Sequence, residues 1–67
     1  MIITLNGDPF DLPERLTVTA LLERLDVDAR RVAVELNLEV VKRALFSSTW
    51  VDEGAEVEIV NFVGGGR

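Results

Sequence analysis

The chain has 67 residues and a formal net charge of −5, and 48% of its residues are hydrophobic, which allows one small domain with a single core and argues against intrinsic disorder. Because the sequence contains neither cysteine nor histidine, disulfides, thiolate nucleophiles, the usual zinc sites and imidazole catalysis are excluded. The acidic charge indicates either simple solubility or a partner with a basic face, and it disfavours nucleic acid and anionic membranes because phosphates repel it.

The N-terminal residues 1–8 contain neither a basic region nor a long apolar stretch. We therefore expect no signal peptide and no membrane span, and we expect the protein to be cytoplasmic. Within residues 1–8, Ile2 to Leu5 predicts a strand whose alternate side chains share a face. Asn6-Gly7-Asp8 predicts a tight turn, because Asn and Gly tolerate positive φ.

A second short strand is predicted through Phe10 and Leu12, with Pro9 and Pro13 at its margins. Because proline cannot donate a ladder hydrogen bond, this strand belongs at a sheet edge. The first two strands therefore form a hairpin.

One amphipathic helix follows, with Thr17 as its N-cap. Its apolar residues recur at i, i+3, i+4 and i+7, namely Val18, Leu21, Leu22 and Leu25. The helix is expected to end at Asp26-Val27-Asp28.

Three further strands are predicted in the second half of the chain. Alternation over Val32 to Leu36 indicates the third strand, and Val40-Val41 a short fourth after a turn at Asn37. Residues 43–50 have no clean period and are expected to be irregular, with one short helical turn. A turn at residues 52–55 then leads into the last strand, Glu56 to Phe62.

These elements predict an α+β fold, a β-grasp with a mixed sheet of four to five strands. One helix cannot bury its leucine face alone, so it must lie across one face of the sheet. We expect the first and last strands to pair side by side in the middle of the sheet. The β-grasp domain is expected to span residues 1–62, and residues 63–67 to form a flexible glycine-rich tail.

The last strand should present two different faces. Val57 and Ile59 are expected to face the helix, and the outward set is Glu56, Glu58, Val60 and Phe62. An exposed Val60 and Phe62 would form a docking patch just before the tail. Alternatively, Phe62 covers an edge of the core.

The tail consists of Val63, Gly64, Gly65, Gly66 and Arg67. Glycine offers no side chain to bury, so such a tail has no packing role. It forms instead a thin and pliable thread that could enter a narrow channel.

Segments spread over nearly the whole chain resemble one family, the ThiS family of ubiquitin-like sulfur carriers. The matching segments are Leu5-Asn6-Gly7, Thr17-Val18, Leu21-Leu22, Val34-Glu35-Leu36-Asn37, Val41, Arg43, Gly54, and Val57-Glu58-Ile59-Val60 leading to Val63-Gly64-Gly65-Gly66. Their order and spacing carry the resemblance, and the glycine ending is the most specific part. The chain departs from the family pattern at Ala55, where an acid is usual, and at Arg67, because these carriers end at glycine.

The resemblance implies a sulfur carrier for biosynthesis of the thiazole moiety of thiamine, which is a protein co-substrate and not an enzyme. It implies that a ubiquitin-activating-type adenylyltransferase adenylates Gly66, and that sulfur from a cysteine desulfurase converts it to a thiocarboxylate for thiazole synthase. ATP and magnesium would belong to the activating enzyme, and this chain would bind no cofactor or metal. Gly64 and Gly65 would thread into the partner, and Arg67 would first be removed by a peptidase.

The docking residues implied by this role are Val60, Phe62 and Val63, which precede the threading glycines.

Other functions remain open at this point. The chain could be another thiocarboxylate carrier, such as the small subunit of molybdopterin synthase, or a modifier that forms isopeptides, with Lys42 as its one lysine. It could also be a β-grasp protein-binding module. An enzyme is the weakest alternative, because Glu56 and Glu58 more simply form a solvated strand face. An iron–sulfur protein is excluded by the lack of cysteine.

Overall fold

A five-stranded mixed sheet and one helix form the fold in the computed structural model, which describes residues 1–62. The elements in chain order are β1 (Ile2–Leu5), β2 (Asp8–Asp11), β3 (Leu16–Thr17), α1 (Val18–Arg24), β4 (Val32–Leu36), β5 (Glu39–Val41), β6 (Trp50–Val51) and β7 (Glu56–Asn61). Single 3-10 turns lie at Ala29–Arg31 and Arg43–Leu45. The expected tail, residues 63–67, lies outside the described residues.

The strand order of the large sheet is β2-β1-β7-β4-β5. Strands β1 and β7 pair in parallel, with Thr4 opposite Glu56 and Leu5 opposite Val57. The remaining pairs are antiparallel. This order confirms the β-grasp prediction and the central position of the first and last strands.

The edge position of β2 is confirmed, but the predicted bounds of this strand are wrong. Pro9 lies inside β2, opposite Thr4, rather than at its margin. It is tolerated there because an edge strand has a free side on which no N–H is needed. The strand also ends at Asp11, before Leu12, which is nevertheless buried.

Helix α1 begins where its sequence predicts, but it ends at Arg24 with Leu25 as its C-cap, before the expected end at Asp26-Val27-Asp28. The Thr17 Oγ1 accepts a hydrogen bond from the Ala20 N–H at 3.1 Å, which satisfies one free donor of the first turn. After Arg24, Asp26 takes φ 59, and the Val27 N–H donates to the Leu22 C=O at 2.9 Å. This is a Schellman motif with aspartate where glycine is usual.

A small second sheet, formed by β3 and β6, was not predicted. Each strand has two residues, with Leu16 opposite Val51 and Thr17 opposite Trp50. Two residues are too few to show an alternation in sequence. The one short helical turn expected in residues 43–50 is confirmed at Arg43–Leu45.

The core lies between the sheet and α1 and draws on β1, α1, β4, β6, β7 and the segments between the elements. Its members are Ile3, Leu12, Val18, Leu21, Leu22, Val32, Val34, Phe46, Val51, Ala55 and Val57. Ala55 is therefore a core residue, and an apolar side chain suits this position. Within residues 1–62, no helix is long and apolar enough to cross a membrane.

Candidate functional site

Strand β7 delivers the chain to the tail and presents two different faces, as its alternation predicts. Val57 is buried and Ile59 packs against the core, whereas Glu56 and Glu58 are exposed. Val60 is 58% exposed and Phe62 is 48% exposed. Their exposure is confirmed, so Phe62 does not cover an edge of the core. Their part in docking stays a prediction.

The strands beside β7 extend this exposed surface, which we call the open face: the side of the sheet away from α1, with Ala33, Glu35, Val40, Glu58, Val60 and Phe62. Ala33 lies opposite Val60 and Glu35 lies opposite Glu58. Val40 on β5 lies opposite Glu35 and is 72% exposed. Two carboxylates therefore face each other across strands in the middle of a largely apolar surface. Like charges so placed destabilise the sheet slightly, and a basic partner would relieve their repulsion.

The β4 side of the sheet holds Phe62 in place. The Phe62 N–H donates to the Arg31 C=O at 2.9 Å, at the end of the 3-10 turn that precedes β4. That turn is capped by Asp28, whose carboxylate accepts from the Arg30 N–H at 2.9 Å and from the Arg30 guanidinium at 3.0 Å. These hydrogen bonds from Arg30 lower the pKa of Asp28 to about 2.

On the β1 side, β7 is held by the side chain of Asn6, a residue that the sequence indicated only as part of a turn. The Ile59 N–H donates to the Asn6 Oδ1 at 2.8 Å, and the Asn6 Nδ2 donates to the Ile59 C=O at 3.3 Å. The two residues are 53 positions apart in the sequence. No local signal could have indicated this contact, because it depends on the parallel pairing of β1 with β7.

The remaining predicted site residues are those of the tail. Val63, Gly64, Gly65, Gly66 and Arg67 lie outside the described residues. Of the predicted docking residues, the structure places Val60 and Phe62 on one face of the same strand end, directly before them in the chain.

The alternative of an acidic catalytic pair finds no support in the geometry of β7. Glu56 and Glu58 are exposed on the open face. A shallow depression of about 320 Å³ lies elsewhere, lined by Glu23, Asp26, Val27 and Asp28. Across residues 1–62, no group of three or more acidic residues is placed to hold a metal ion.

Comparison with known proteins gives a consistent result. A family model described as the ThiS family matches residues 3–66. A protein named thiazole synthase from Paramagnetospirillum magneticum is 44% identical over 66 residues, which cover 98% of this chain and 20% of that protein. An uncharacterized protein, ycf40, from Porphyra purpurea is 41% identical over 64 residues, covering 96% of this chain and 90% of that one. The chain thus spans only about a fifth of the thiazole synthase relative.

A solved structure has the same fold. The crystal structure of the thiamine biosynthesis protein ThiS from Geobacter metallireducens superimposes with a TM-score of 0.88 at 45% sequence identity, covering 96% of this chain and 97% of that chain. Agreement over nearly both full chains includes the open face and the strand that leads to the tail.

Proposed function

The chain belongs to the ThiS family, and on that premise we propose that it is the sulfur carrier protein for biosynthesis of the thiazole moiety of thiamine. The observation that carries this proposal is the end of β7. There a central strand presents exposed Val60 and Phe62 and continues directly into Val63-Gly64-Gly65-Gly66. The family match also extends through residue 66, which includes all three tail glycines.

The chemistry centres on the carboxylate of Gly66, which is a poor electrophile until it is activated. In the proposed first step, a carboxylate oxygen attacks the α-phosphorus of ATP and pyrophosphate leaves, giving an acyl adenylate. The partner's nucleotide site and its magnesium stabilise the charge that develops on the phosphates. A persulfide sulfur then displaces AMP, and a thiol cleaves the resulting acyl disulfide to free the thiocarboxylate.

The glycines suit this chemistry because each lacks a side chain that would obstruct a narrow adenylation channel. Fully extended, three residues span about 10 Å. That reach allows the reactive carboxyl to sit inside a partner while the folded domain remains outside. In this role the chain is a co-substrate, and ATP and magnesium are bound by the activating enzyme.

The docking surface for that enzyme is proposed to centre on Val60, Phe62 and Val63. A few side chains near the centre of an interface, often large aromatic ones, contribute most of its binding energy, which makes Phe62 the expected anchor of this surface. The acidic pair Glu35 and Glu58 lies beside them on the open face, so the matching surface of the partner should be basic. Such complementarity raises association rates and fixes orientation.

Thiazole synthase is proposed as the recipient of the sulfur. A relative that carries this name contains a segment 44% identical to 66 residues of this chain, so the two parts occur in one polypeptide in that organism. A cysteine desulfurase is proposed as the source of the persulfide.

Arg67 is proposed to be removed before activation. It moves the carboxylate outward by about 3.5 Å and adds a long cationic side chain at the reacting end. The matched family region ends one residue before it, at residue 66.

The test is the intact mass of the chain isolated from its own cells, before and after incubation with activating enzyme, ATP and a persulfide donor. We expect loss of the Arg67 mass, followed by one oxygen-to-sulfur exchange. The control is a chain that lacks Gly65, Gly66 and Arg67, which should fold but never gain sulfur. A full-length chain that is adenylated as fast as one ending at Gly66 contradicts trimming, and a mass that never changes contradicts the carrier function.

A further inference from the structure

Asn6 directly follows β1, and it is the point at which the hydrogen bonds between the first hairpin and β7 end. Its backbone N–H donates to the Val57 C=O at 2.9 Å, as the parallel register requires. Its φ of 49 then turns the chain into the hairpin. A left-handed residue there ends the strand, because its own carbonyl no longer points along the ladder.

Beyond this point the side-chain amide of Asn6, in place of its backbone carbonyl, forms the hydrogen bonds with β7. In a parallel ladder, a residue bonds to the two positions that flank its partner. By continuation of the register, Asn6 lies opposite Glu58, and its backbone N–H already bonds to Val57. The Asn6 Oδ1 accepts from the Ile59 N–H at 2.8 Å, where a strand carbonyl would have accepted. The ladder is thus extended by one step toward the tail.

A second asparagine makes a comparable contact at the opposite end of β7. The Asn37 Oδ1 accepts from the Glu56 N–H at 2.9 Å, and the Asn37 N–H donates to the Glu56 C=O at 2.7 Å. Asn37 has φ 51, close to the 49 of Asn6, and both are exposed. The two residues therefore differ chiefly in which end of β7 they hold.

We propose that Asn6 is a positioning residue for activation: its amide holds the tail-proximal end of β7 and so fixes the orientation of the strand end that presents Val60 and Phe62. The inference rests on the proposed carrier function. Only two residues lie between Ile59 and Phe62, so loosening β7 at Ile59 also loosens the strand end that carries the docking side chains. On the β4 side this end is restrained by the pairing of Val32 with Asn61 and by the Phe62 N–H bond to the Arg31 C=O, so Asn6 supplies the restraint on the β1 side.

This role predicts a particular kinetic signature. If β7 must be ordered to its end for docking, loosening it lowers the binding-competent fraction of the carrier, and the apparent dissociation constant rises by that factor. The KM for the carrier should therefore rise, whereas kcat, set by the enzyme once the carrier is docked, should not change. A general loss of fold stability would not produce this split far below the melting temperature.

The experiment compares Asn6→Gly with the matched control Asn37→Gly. Glycine keeps the positive φ without strain at both sites and removes only the side-chain hydrogen bonds. All chains are made in the same C-terminal form and assayed for ATP-dependent adenylation at a fixed temperature where each is folded. Amide hydrogen exchange of the free chains is measured in parallel.

We expect Asn6→Gly to raise the KM by up to about tenfold, the limit that loss of a net hydrogen bond sets on the fall in the binding-competent fraction, with kcat unchanged. We expect Ile59 to exchange faster in Asn6→Gly, and Glu56 in Asn37→Gly. An unaltered KM in Asn6→Gly, an equal rise in Asn37→Gly, or unaltered exchange at Ile59 overturns the proposal. A wild-type chain that is never adenylated contradicts the carrier function instead, and the exchange result then decides alone whether Asn6 holds the end of β7.

Discussion

Leu38 occupies a backbone position that normally requires glycine. The two hairpins of the large sheet have two-residue loops, Asn6-Gly7 and Asn37-Leu38, and all four residues have positive φ. Such a loop favours Asn-Gly, because its second residue must adopt a left-handed conformation. Leu38 does so at φ 72 while its side chain is 81% exposed, so it carries the strain without compensating burial.

Leu38→Gly is therefore expected to stabilise the fold. A left-handed conformation costs a non-glycine residue about 1–2 kcal/mol, and the greater freedom of glycine in the unfolded chain offsets about 0.5–1 kcal/mol of the gain. We expect the free energy of unfolding to rise by about 0.5–1 kcal/mol in urea titration. The reverse change in the other hairpin, Gly7→Leu, should lower it, although a Cβ at Gly7 would meet no atom within 4 Å. A less stable Leu38→Gly chain would contradict the argument from strain.

Phe62 is the residue at which docking can be separated from folding. Because its side chain is 48% exposed, Phe62→Ala should change the melting temperature little. Loss of an aromatic anchor typically costs binding about 1–2 kcal/mol or more, so we expect the KM for the carrier in adenylation to rise roughly tenfold. Val40→Ala is the control, since Val40 is more exposed but lies two strands from β7. Equal effects of the two substitutions would argue against a docking patch at the strand end.

At the scale of elements, the 3-10 turn Ala29–Arg31 connects the ionisable side chain of Asp28 to Phe62, the residue at the end of the described chain. Asp28 caps this turn and pairs with Arg30, and the same turn presents the carbonyl that holds Phe62. The ion pair needs an ionised carboxylate, and ionisation also strengthens the hydrogen bond of the cap. The order of this segment should therefore depend on pH.

Asp28 predicts a specific acid dependence of stability. Its pKa is lowered from 3.8 to about 2 by the hydrogen bonds from Arg30, so the folded state favours the ionised form. The resulting stabilisation is present above pH 3.8 and is lost as the pH falls toward 2. Asp28→Asn should flatten the decline of the melting temperature over this interval.

The control for this measurement is Asp26→Asn. Asp26 forms no ion pair within residues 1–62, and asparagine also tolerates its φ of 59. This variant removes a carboxylate of the same loop and leaves the ion pair between Asp28 and Arg30 in place. If Asp28→Asn retains the full wild-type dependence between pH 3.8 and 2, the ion pair does not stabilise the fold.

At the scale of the whole molecule, the domain is small enough that its stability depends on a few side chains. A single core in a chain of this length supplies about 3–5 kcal/mol. Among residues 1–62, eleven form that core, and Leu21 and Leu22 of α1 connect it to the sheet. The fold that supports the exposed end of β7 therefore has a small free energy of unfolding.

Leu21→Ala should consequently unfold a large fraction of the free chain. A buried Leu→Ala substitution costs about 2–5 kcal/mol, which is comparable with the whole stability. Circular dichroism should show a melting temperature lowered by tens of degrees or no cooperative transition. Leu45→Ala, at a leucine that is 50% exposed, should melt close to the wild type. If the Leu21→Ala chain also melts near the wild type, the core contributes more stability than this, or it repacks to fill the cavity left by the leucine side chain.

Local patterns were sufficient to predict much of the fold. The cap and apolar period of α1, the Asn-Gly turn of the first hairpin and the alternation along β7 each lie within a few consecutive residues. The same alternation predicted that Val60 and Phe62 are exposed. The family motif indicated Gly66 as the residue whose carboxylate is proposed to react.

Only the tertiary structure decided the features that join distant segments. The two-residue strands β3 and β6 are strands because they pair with each other, and Ala55 is buried because the core closes over it. The amide of Asn6 reaches Ile59 because β1 and β7 run in parallel at one register. The sequence by itself determined the longer elements and the glycine-rich composition of the tail, since these follow from local period and composition. The restraint on the end of β7 arises from contacts 53 residues apart, which no local pattern encodes.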